Sequence, residues 1–414
     1  MATGLQGSEI IKLAGEIKKK IAAGQQIYNF TIGDFNPEIF PIPNRLNELI
    51  QESYAQGMTN YPAANGMEPL RQAVSSQVIG KMGLDYTADE VLISGGARPL
   101  IYATYQALID PSDSVIFPVP SWNNNHYTHL SRGKAIYVET SPENNFMPTA
   151  TDLVDHIGEA SLIAVCSPLN PTGTVFSREQ LKSICDLVVE ENRSRQNDGR
   201  KPVYLMFDQI YWQLTYGKVE HHDPVNLCPD VRPYTIYIDG LSKAFAATGV
   251  RVGWAFGPAH VINKMKAILG HIGAWAPKAE QMATAKYLNE TTEVSSYINW
   301  IRKEAVARLD SFYQGFEGLR EKGYAVRAIA PQAAIYLTVS FDLKGKMMEN
   351  GQTLDNTEAI TLFLLEEAGL AIVPFYAFGS TRDSVWYRLS IGTAKMEEIP
   401  QVFERLESAL SRLK

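Results

Sequence analysis

The 414-residue sequence is poor in cysteine, has no long apolar run and carries no excess of basic residues. Its three cysteines, Cys166, Cys185 and Cys228, are odd in number and widely spaced, which excludes a CxxC metal or redox motif and suits a reducing compartment. No apolar run approaches the ~18 residues that a membrane-spanning helix requires. The formal net charge of −7 argues against nucleic acid or an anionic membrane as the main partner.

Targeting and metal-binding patterns are absent as well. Residues 1–24 lack a basic start followed by an apolar block and a cleavage site, so we expect no secretory signal and a cytoplasmic location. No G-x-G-x-x-G motif follows a first strand, which disfavours a dinucleotide enzyme. The histidines at 126 and 129, and the run His221–His222–Asp223, have no third ligand at metal-like spacing. We therefore expect solvated loop histidines and no bound metal.

The chain is long enough for two domains, and its pattern changes along its length. Seven strand-like runs alternate with helical stretches, and their nearly continuous apolar character indicates strands that are covered on both faces. They are 91–94, 114–118, 134–139, 162–168, 203–208, 234–239 and 252–257. The sequence thus predicts an α/β protein whose large domain, 46–295, holds a mostly parallel seven-stranded sheet between helices. A smaller α+β domain would combine an N-terminal arm, 1–45, with residues 296–414.

Polar and aromatic residues follow five of these runs, where open α/β sheets bind ligands. They are the glycine pair of GGAR (95–98), Trp122, Asn170 in LNPTG, Asp208 with Tyr211 in DQIY, and Lys243 with Arg251 in SKAFAATGVR. Backbone N–H groups after a glycine pair suit phosphate. Taken singly, each feature also has a structural explanation: a plain turn, a core tryptophan, a helix cap or a salt-bridged arginine.

Taken together, these motifs resemble a known family. The cofactor-attachment pattern of class I/II pyridoxal-phosphate-dependent aminotransferases is matched by GLSKAFAATGVRVG (240–253). The motifs SPLNPTG, FDQIY and YRLSIG stand in the family's order along the chain. The chain looks closest to the aspartate aminotransferase-like branch. The resemblance implies fold type I, pyridoxal 5'-phosphate as cofactor, and a homodimer with its active sites at the subunit interface.

The resemblance also implies a role for each residue. A reversible Schiff base requires a primary amine, which Lys243 would supply, and Asp208 would keep the pyridine nitrogen protonated. Tyr211 and Asn170 would hydrogen-bond the phenolic oxygen of the cofactor, and Trp122 would stack on its ring. The phosphate would be held by Arg251, by the backbone amides of Gly96, Ala97 and Arg98, and by Tyr61 of the partner subunit. Ser242 would also contact the cofactor.

The substrate side of the site follows from the same resemblance. Arg388 would clamp the α-carboxylate, with Gly33, Asn170 and Trp122 beside it. The sequence departs from the family at Gly240, where a hydroxyl residue is common, and at Trp275 and Ala276, which replace polar residues. For the side chain, either Arg98 pairs with a distal carboxylate, or Trp275 with Asn123, Asn124 and Asn125 forms a pocket for aromatic or neutral side chains.

The expected function is transfer of an α-amino group from an L-amino acid to a 2-oxo acid, with 2-oxoglutarate as the usual acceptor in the family. A lyase or decarboxylase that uses the same cofactor is an alternative. A non-catalytic ligand-sensing domain is a further alternative, disfavoured by Lys243 and by the 30 residues before TIGDF, which are expected to leave no room for a DNA-binding module. The sequence does not identify the amino donor.

Overall fold

The computed structural model describes residues 9–414. Residues 1–8, part of the segment from which no secretory signal is predicted, lie outside the described residues. The α-helices are α1 Glu9–Ala22, α2 Asn44–Ala55, α3 Glu68–Ala73, α4 Ala97–Leu108, α5 Asn124–Leu130, α6 Ala150–Ile157, α7 Arg178–Asp198, α8 Pro224–Leu227, α9 Leu241–Ala244, α10 Ala259–Ile272, α11 Lys278–Asn289, α12 Thr291–Glu321, α13 Thr357–Glu367 and α14 Ile399–Ser411. The strands are β1 Tyr28–Asn29, β2 Val91–Ser94, β3 Ser114–Val119, β4 Lys134–Glu139, β5 Ala160–Cys166, β6 Tyr204–Asp208, β7 Thr235–Gly240, β8 Gly253–Phe256, β9 Val326–Ala328, β10 Tyr336–Phe341, β11 Leu370–Ala371, β12 Val373–Pro374 and β13 Trp386–Ser390.

Seven strands form the central sheet, in the order β2-β8-β7-β6-β5-β3-β4. Strand β8 runs antiparallel to both of its neighbours, and the other pairs along β7-β6-β5-β3-β4 are parallel. The predicted α/β class and mostly parallel seven-stranded sheet are therefore confirmed. All seven predicted runs correspond to these strands, with ends that differ by at most two residues.

The sheet is buried on both faces because its strands alternate between two hydrophobic clusters. In β6, Leu205 and Phe207 belong to the cluster that includes helix α7, whereas Met206 belongs to the cluster that includes helices α4 and α10. This alternation has the two-residue period of a strand, and burial of both sets of side chains explains the unbroken apolar run in the sequence.

A second sheet and the helices of the C-terminal part form another core. Its strands are antiparallel, in the order β12-β13-β10-β9, and the short strand β1 pairs with β11. Phe30, from the N-terminal segment, packs edge-to-face on Phe312 of α12, with ring centroids 5.0 Å apart. The N-terminal and C-terminal segments thus share one core.

Helix α12 crosses the position predicted as a domain boundary, 295–296. Val294 packs in the core of the large sheet, whereas Ile301 and Leu309 pack in the second core. The chain therefore passes from one core to the other along a continuous helix.

Candidate active site

A cavity of about 650 Å³ lies where the carboxyl ends of the central strands meet the second core. It is lined by residues that follow strands β5, β6 and β7, by the start of α4, and by side chains from β10 and β13. The predicted site residues on its wall are Gly33, Ala97, Arg98, Trp122, Asn170, Asp208, Tyr211, Ser242, Lys243, Arg251 and Arg388. Gly96 lies next to this wall, against Arg251, and Tyr61 does not line it.

Lys243 lies on the one-turn helix α9, directly after β7. Its Nζ donates a hydrogen bond to the carbonyl oxygen of Gly33 at 2.7 Å and stands 5.9 Å from the centre of the Tyr211 ring. Burial lowers the pKa of its ammonium group from 10.5 to about 8, against the opposing effect of the Asp34 carboxylate. A substantial fraction of this amine is therefore neutral, and nucleophilic, near neutral pH.

The turn before Lys243 needs glycine because two backbones approach closely there. A Cβ on Gly240 would lie 2.8 Å from the Cα of Gly253 on β8. A residue with a hydroxyl group is common at this position in the aminotransferase family that the sequence resembles. Here its side chain would require the ends of β7 and β8 to move apart.

Asp208 ends β6 and projects into the cavity, opposite the wall formed by α4. One carboxylate oxygen accepts the backbone N–H of Ile210 at 3.0 Å, which fixes the turn that follows. Burial raises the pKa of Asp208 to about 6. A cationic partner in the cavity would stabilise the ionised form.

Tyr211 directly follows Ile210, and its hydroxyl is 2.6 Å from that of Tyr336 on β10. Burial and the nearby Tyr336 raise the pKa of Tyr211 well above its ordinary value, so Tyr211 is a protonated hydrogen-bond donor.

Arg388 on β13 is 2% exposed and faces no carboxylate within the described part of the chain. It donates to Asn170 Oδ1 at 3.0 Å and to the carbonyl of Thr31 at 2.6 Å, while its Nε has no protein partner among the described residues. A buried, incompletely satisfied guanidinium is a strong receptor for an added carboxylate. Gly33 leaves the space for such a group, because a Cβ there would lie 2.9 Å from the Tyr336 hydroxyl and 3.3 Å from Arg388 Nη1.

The start of α4 and Arg251 lie close together beside the cavity. Gly96 has φ of +97° and precedes the first turn of α4, whose N–H groups have no partner within the helix, and Ala97 and Arg98 of that turn line the cavity. Arg251 donates to the carbonyls of Thr248 and Gly95, each at 2.7 Å. A Cβ on Gly96 would lie 2.2 Å from Arg251 Nη2, so the close approach requires glycine.

Trp122 and Arg98 occupy the mouth of the cavity. The guanidinium carbon of Arg98 lies 5.6 Å from the centre of the Trp122 ring, and Trp122 packs on Phe378 with ring centres 6.1 Å apart. Arg98 is exposed and has no carboxylate partner among the described residues. A positive charge therefore stands free beside an aromatic face.

The alternative side-chain pocket is not assembled in this protomer. Asn124 lines the cavity, but Asn123 and Asn125 line a neighbouring cavity behind Trp122. Trp275 instead packs edge-to-face on Tyr61, with ring centres 5.2 Å apart, away from the cavity wall. The Tyr61 side chain is 82% exposed.

Among the cavity residues that were not predicted for the site, three have ionisable side chains: Asp34, Tyr336 and Cys166. Asp34 accepts a hydrogen bond from the Thr248 hydroxyl at 3.1 Å, and its charge acts on Lys243. Asp34 and Cys166 could have been found from the sequence, since Asp34 follows Gly33 and Cys166 lies near the end of the predicted strand 162–168. Tyr336 is one of several aromatic residues on buried strands and could not.

The prediction of solvated histidines is wrong for His221. Both ring nitrogens are buried, and the ring packs against Phe207 and Trp212 at 5.9 and 6.0 Å. Burial lowers the pKa of His221 to about 3, so the ring is neutral. In the part of the chain that the structure describes, no cluster of three or more potential metal ligands is found and no helix is long and apolar enough to span a membrane.

Comparison with known proteins extends over nearly the whole chain. The family model "Aminotransferase class I and II" matches residues 25–406. An aspartate/prephenate aminotransferase of Thermus thermophilus is 30% identical over 380 residues, which cover 90% of this chain and 89% of that protein. An aspartate aminotransferase of Bacillus sp. (strain YM-2) is 27% identical over 405 residues, covering 97% and 96%. A solved structure of a Thermus thermophilus aspartate aminotransferase double mutant has a TM-score of 0.87 at 26% identity, covering 99% of this chain and 98% of that chain.

Proposed function

The chain belongs to the aminotransferase class I and II family, and we propose that it transfers the α-amino group of an L-amino acid to 2-oxoglutarate. It is a pyridoxal-phosphate-dependent aminotransferase. The observation that carries the proposal is the position of Lys243. Its buried amine, with a lowered pKa, shares one cavity with a carboxylate at Asp208 and a carboxylate receptor at Arg388.

The residues of the cavity fit pyridoxal 5'-phosphate. A doubly charged phosphate matches the α4 N-terminus and Arg251, where Gly96 leaves room that a Cβ would fill. The carboxylate of Asp208 suits the pyridine nitrogen of the cofactor, because a nearby negative charge favours the protonated form of that nitrogen. Tyr211 and Asn170 offer polar groups, and Trp122 offers an aromatic face. When bound, the cofactor supplies an aldehyde that reacts with amines and a ring that withdraws electrons from the substrate's α-carbon.

Lys243 would serve first as the amine that holds the cofactor and then as the base that removes the proton from the substrate's α-carbon. A positioned base of this kind contributes about 10²–10⁴-fold to the rate. Its pKa of about 8 keeps the neutral amine available near neutral pH and leaves its conjugate acid able to return the proton. Tyr211, whose ring lies beside this amine, would donate a hydrogen bond to the phenolic oxygen of the cofactor and thereby orient the cofactor ring.

Arg388 would bind the substrate's α-carboxylate through its planar guanidinium. Asn170 already orients that guanidinium, and the carbonyl of Thr31 holds its other terminal nitrogen. The absence of a Cβ at Gly33 lets the carboxylate approach between Arg388 and Tyr336. This arrangement selects α-amino acids and 2-oxo acids.

We assign the distal carboxylate of a dicarboxylic substrate to Arg98. Arg98 lines the cavity, its charge is not neutralised by a described carboxylate, and the Trp122 ring below it keeps the guanidinium at the cavity mouth. A charge-assisted hydrogen bond at this place contributes about 1.5–3 kcal/mol. Asn124, on the same wall, would contact side chains that carry no charge.

A screen of amino donors against the cofactor-loaded enzyme tests the proposal. Each L-amino acid is mixed with the enzyme alone, and the change in cofactor absorbance is followed as the amino group is taken up. 2-Oxoglutarate is then added to reverse that change. We expect glutamate to drive the first step and 2-oxoglutarate the second, with Lys243→Ala inactive in both. Release of the amino group as ammonia, without its retention on the enzyme, would identify a lyase, and release of CO2 would identify a decarboxylase instead.

The Arg98→Ala variant tests the assignment of the distal carboxylate. We expect the KM for glutamate or aspartate to rise about tenfold or more, because one charge-assisted contact is lost. The KM for an aromatic donor should change little. Arg132→Ala, which removes an arginine from the turn before β4, is the control. Equal effects on both donors would assign Arg98 to the phosphate loop or to structure.

A further inference from the structure

A second buried carboxylate, that of Asp239, lies directly behind the candidate active site. Asp239 is 1% exposed and is the next-to-last residue of β7. The register pairs Asp208 of β6 with Ile238 of β7. Because side chains alternate along a strand, Asp239 lies on the sheet face opposite to Asp208. Asp208 lines the cavity and Asp239 does not, so Asp239 reaches the site through its charge, which acts on Asp208, and through the residues that it holds.

The two oxygens of Asp239 join the two chain segments that carry the reactive groups. Oδ1 accepts the backbone N–H of Gly240 at 2.7 Å, and Gly240 begins the turn that ends at Lys243. Oδ2 accepts the indole N–H of Trp212 at 2.9 Å, and Trp212 directly follows Tyr211. One side chain thus connects the lysine turn with the tyrosine turn.

Only an ionised carboxylate satisfies both donors with two equivalent oxygens. Burial raises the pKa of Asp239 to about 7, whereas the N–H groups of Gly240 and Trp212 favour the ionised form. An asparagine has one acceptor oxygen and one NH2 donor, so it can accept from only one of the two N–H groups without forcing the other against an NH2. Asparagine therefore preserves the size of the side chain and breaks the connection.

We propose that Asp239 is a positioning residue, whose carboxylate fixes Lys243 and Tyr211 relative to each other through Gly240 and Trp212. The inference rests on the proposed function, in which Lys243 is the reacting amine. The ring of His221 packs against Trp212, with ring centres 6.0 Å apart, and adds to the contacts that hold the indole. Small displacements of a reacting group are costly in enzymes, so a support of this kind affects rate before it affects binding.

Asp239→Asn, Trp212→Phe and the double variant test the proposal. For each single variant, we expect kcat to fall about tenfold with KM within about threefold of the original. We also expect the pH midpoint of the bound cofactor's absorbance, measured without substrate, to shift by about half a unit or more. In the double variant these changes should be no larger than in the more affected single variant, because both substitutions break the same connection.

Asp223→Asn is the matched control. Asp223 is also buried and accepts hydrogen bonds on both carboxylate oxygens, on Oδ1 from the Asn226 backbone N–H and the Tyr237 hydroxyl, each at 3.0 Å, and on Oδ2 from the Asn226 side-chain amide at 2.6 Å. None of these bonds reaches the lysine turn or the tyrosine turn. We expect this variant to lower the melting temperature and to leave both kcat and the absorbance midpoint unchanged.

The proposal is overturned if Asp239→Asn and Trp212→Phe change only the melting temperature, as the control does, or if their effects on kcat and on the midpoint add. If Asp239→Asn does not fold, Trp212→Phe decides alone, since it retains the carboxylate and its bond to Gly240. The midpoint is read without an amino donor, so it stays measurable even if the original protein transfers no amino group. A failure of the proposed function is thereby separated from a failure of this inference.

Discussion

At the residue scale, the reactivity of Lys243 depends on the balance between the effects that lower its pKa and those that raise it. Burial and the positive charges of Arg388, Arg98 and Arg251 disfavour its ammonium form, and only the Asp34 carboxylate favours it among the strongest influences. The result is a buried amine whose pKa of about 8 lies well below that of a solvated lysine. A nucleophile is best tuned when its pKa lies close to the working pH.

The pH dependence of cofactor uptake follows from this pKa. Only the neutral amine reacts with an aldehyde, and a lowered pKa means that the neutral form is reached at a lower pH than for an ordinary lysine. We expect the rate at which cofactor-free protein takes up pyridoxal 5'-phosphate to rise with pH up to about 8 and then to level off. Stopped-flow absorbance would measure this rate. A rate that keeps rising beyond pH 10 would contradict the buried environment described for Lys243.

At the scale of elements, the turn between β2 and α4 leaves little room for substitution. Gly96 has φ of +97°, a conformation that costs an L-residue roughly 1–2 kcal/mol. Arg251, which is itself in the left-handed region with φ of +59°, packs against the bare Cα of Gly96. The contact between Gly96 and Arg251 thus constrains the backbone of two turns, the one between β2 and α4 and the one before β8.

Gly96→Ala is expected to weaken cofactor binding. The new Cβ would lie 2.2 Å from Arg251 Nη2, so the guanidinium must leave its place. Loss of one charge-assisted contact to the phosphate, about 1.5–3 kcal/mol, corresponds to a Kd for pyridoxal 5'-phosphate that is about tenfold higher or more. Equilibrium dialysis would measure it. Gly270→Ala is the control, since Gly270 lies within α10 with no atom near its added Cβ. An unchanged Kd in Gly96→Ala would show that Arg251 does not hold the phosphate.

The elements of the central sheet could be predicted from the sequence because local pattern specifies them. Burial on both faces produces continuous apolar runs, and the parallel arrangement then collects the strand ends, with Asp208 and Asn170, at one edge. Contacts between residues that are far apart in the chain leave no comparable pattern in the sequence. Tyr336 becomes part of the site only because β10 of the second sheet faces Tyr211, 125 residues away in the chain. His221 is buried only because the fold brings Phe207 and Trp212 against it.

At the scale of the whole molecule, two cores share one helix and enclose the cavity between them. We propose that residues 46–295 form the large domain and that residues 1–45 and 296–414 form the small one. Helix α12 would serve as the rigid connection, since its first turns pack in one core and the remainder packs in the other. Arg388 lies on β13, whose Leu389 packs in the second core, and Lys243 lies on α9, whose Leu241 packs in the first. The relative position of the two cores would therefore decide whether a substrate carboxylate on Arg388 brings the α-carbon to the amine.

The most exposed large aromatic residue of the described chain, Tyr61, indicates that this enclosure is incomplete in a single protomer. Its ring is 82% exposed and rests with one edge on Trp275, outside the cavity. We propose a homodimer in which Tyr61 of each subunit contacts the cofactor phosphate of the other. Sedimentation of the full-length protein should give a dimer. We further expect Tyr61→Ala to raise the Kd for pyridoxal 5'-phosphate about tenfold, through loss of one charge-assisted contact. Tyr137→Ala, an aromatic 51% exposed on β4 at the other edge of the sheet, should not change it.

Mixing two impaired variants tests whether Tyr61 acts on its own subunit or across the interface. In a hybrid dimer of Tyr61→Ala and Lys243→Ala subunits, the site that retains Lys243 would receive an intact Tyr61 from the other subunit. Random exchange of subunits makes half of the dimers hybrids with one complete site each, so roughly a quarter of the original activity should return. The measurement is made at a cofactor concentration that saturates the original enzyme but not Tyr61→Ala. If Tyr61 acted within its own subunit, the hybrid would contain no complete site, and the activity of the mixture would stay at the average of the two variants measured separately.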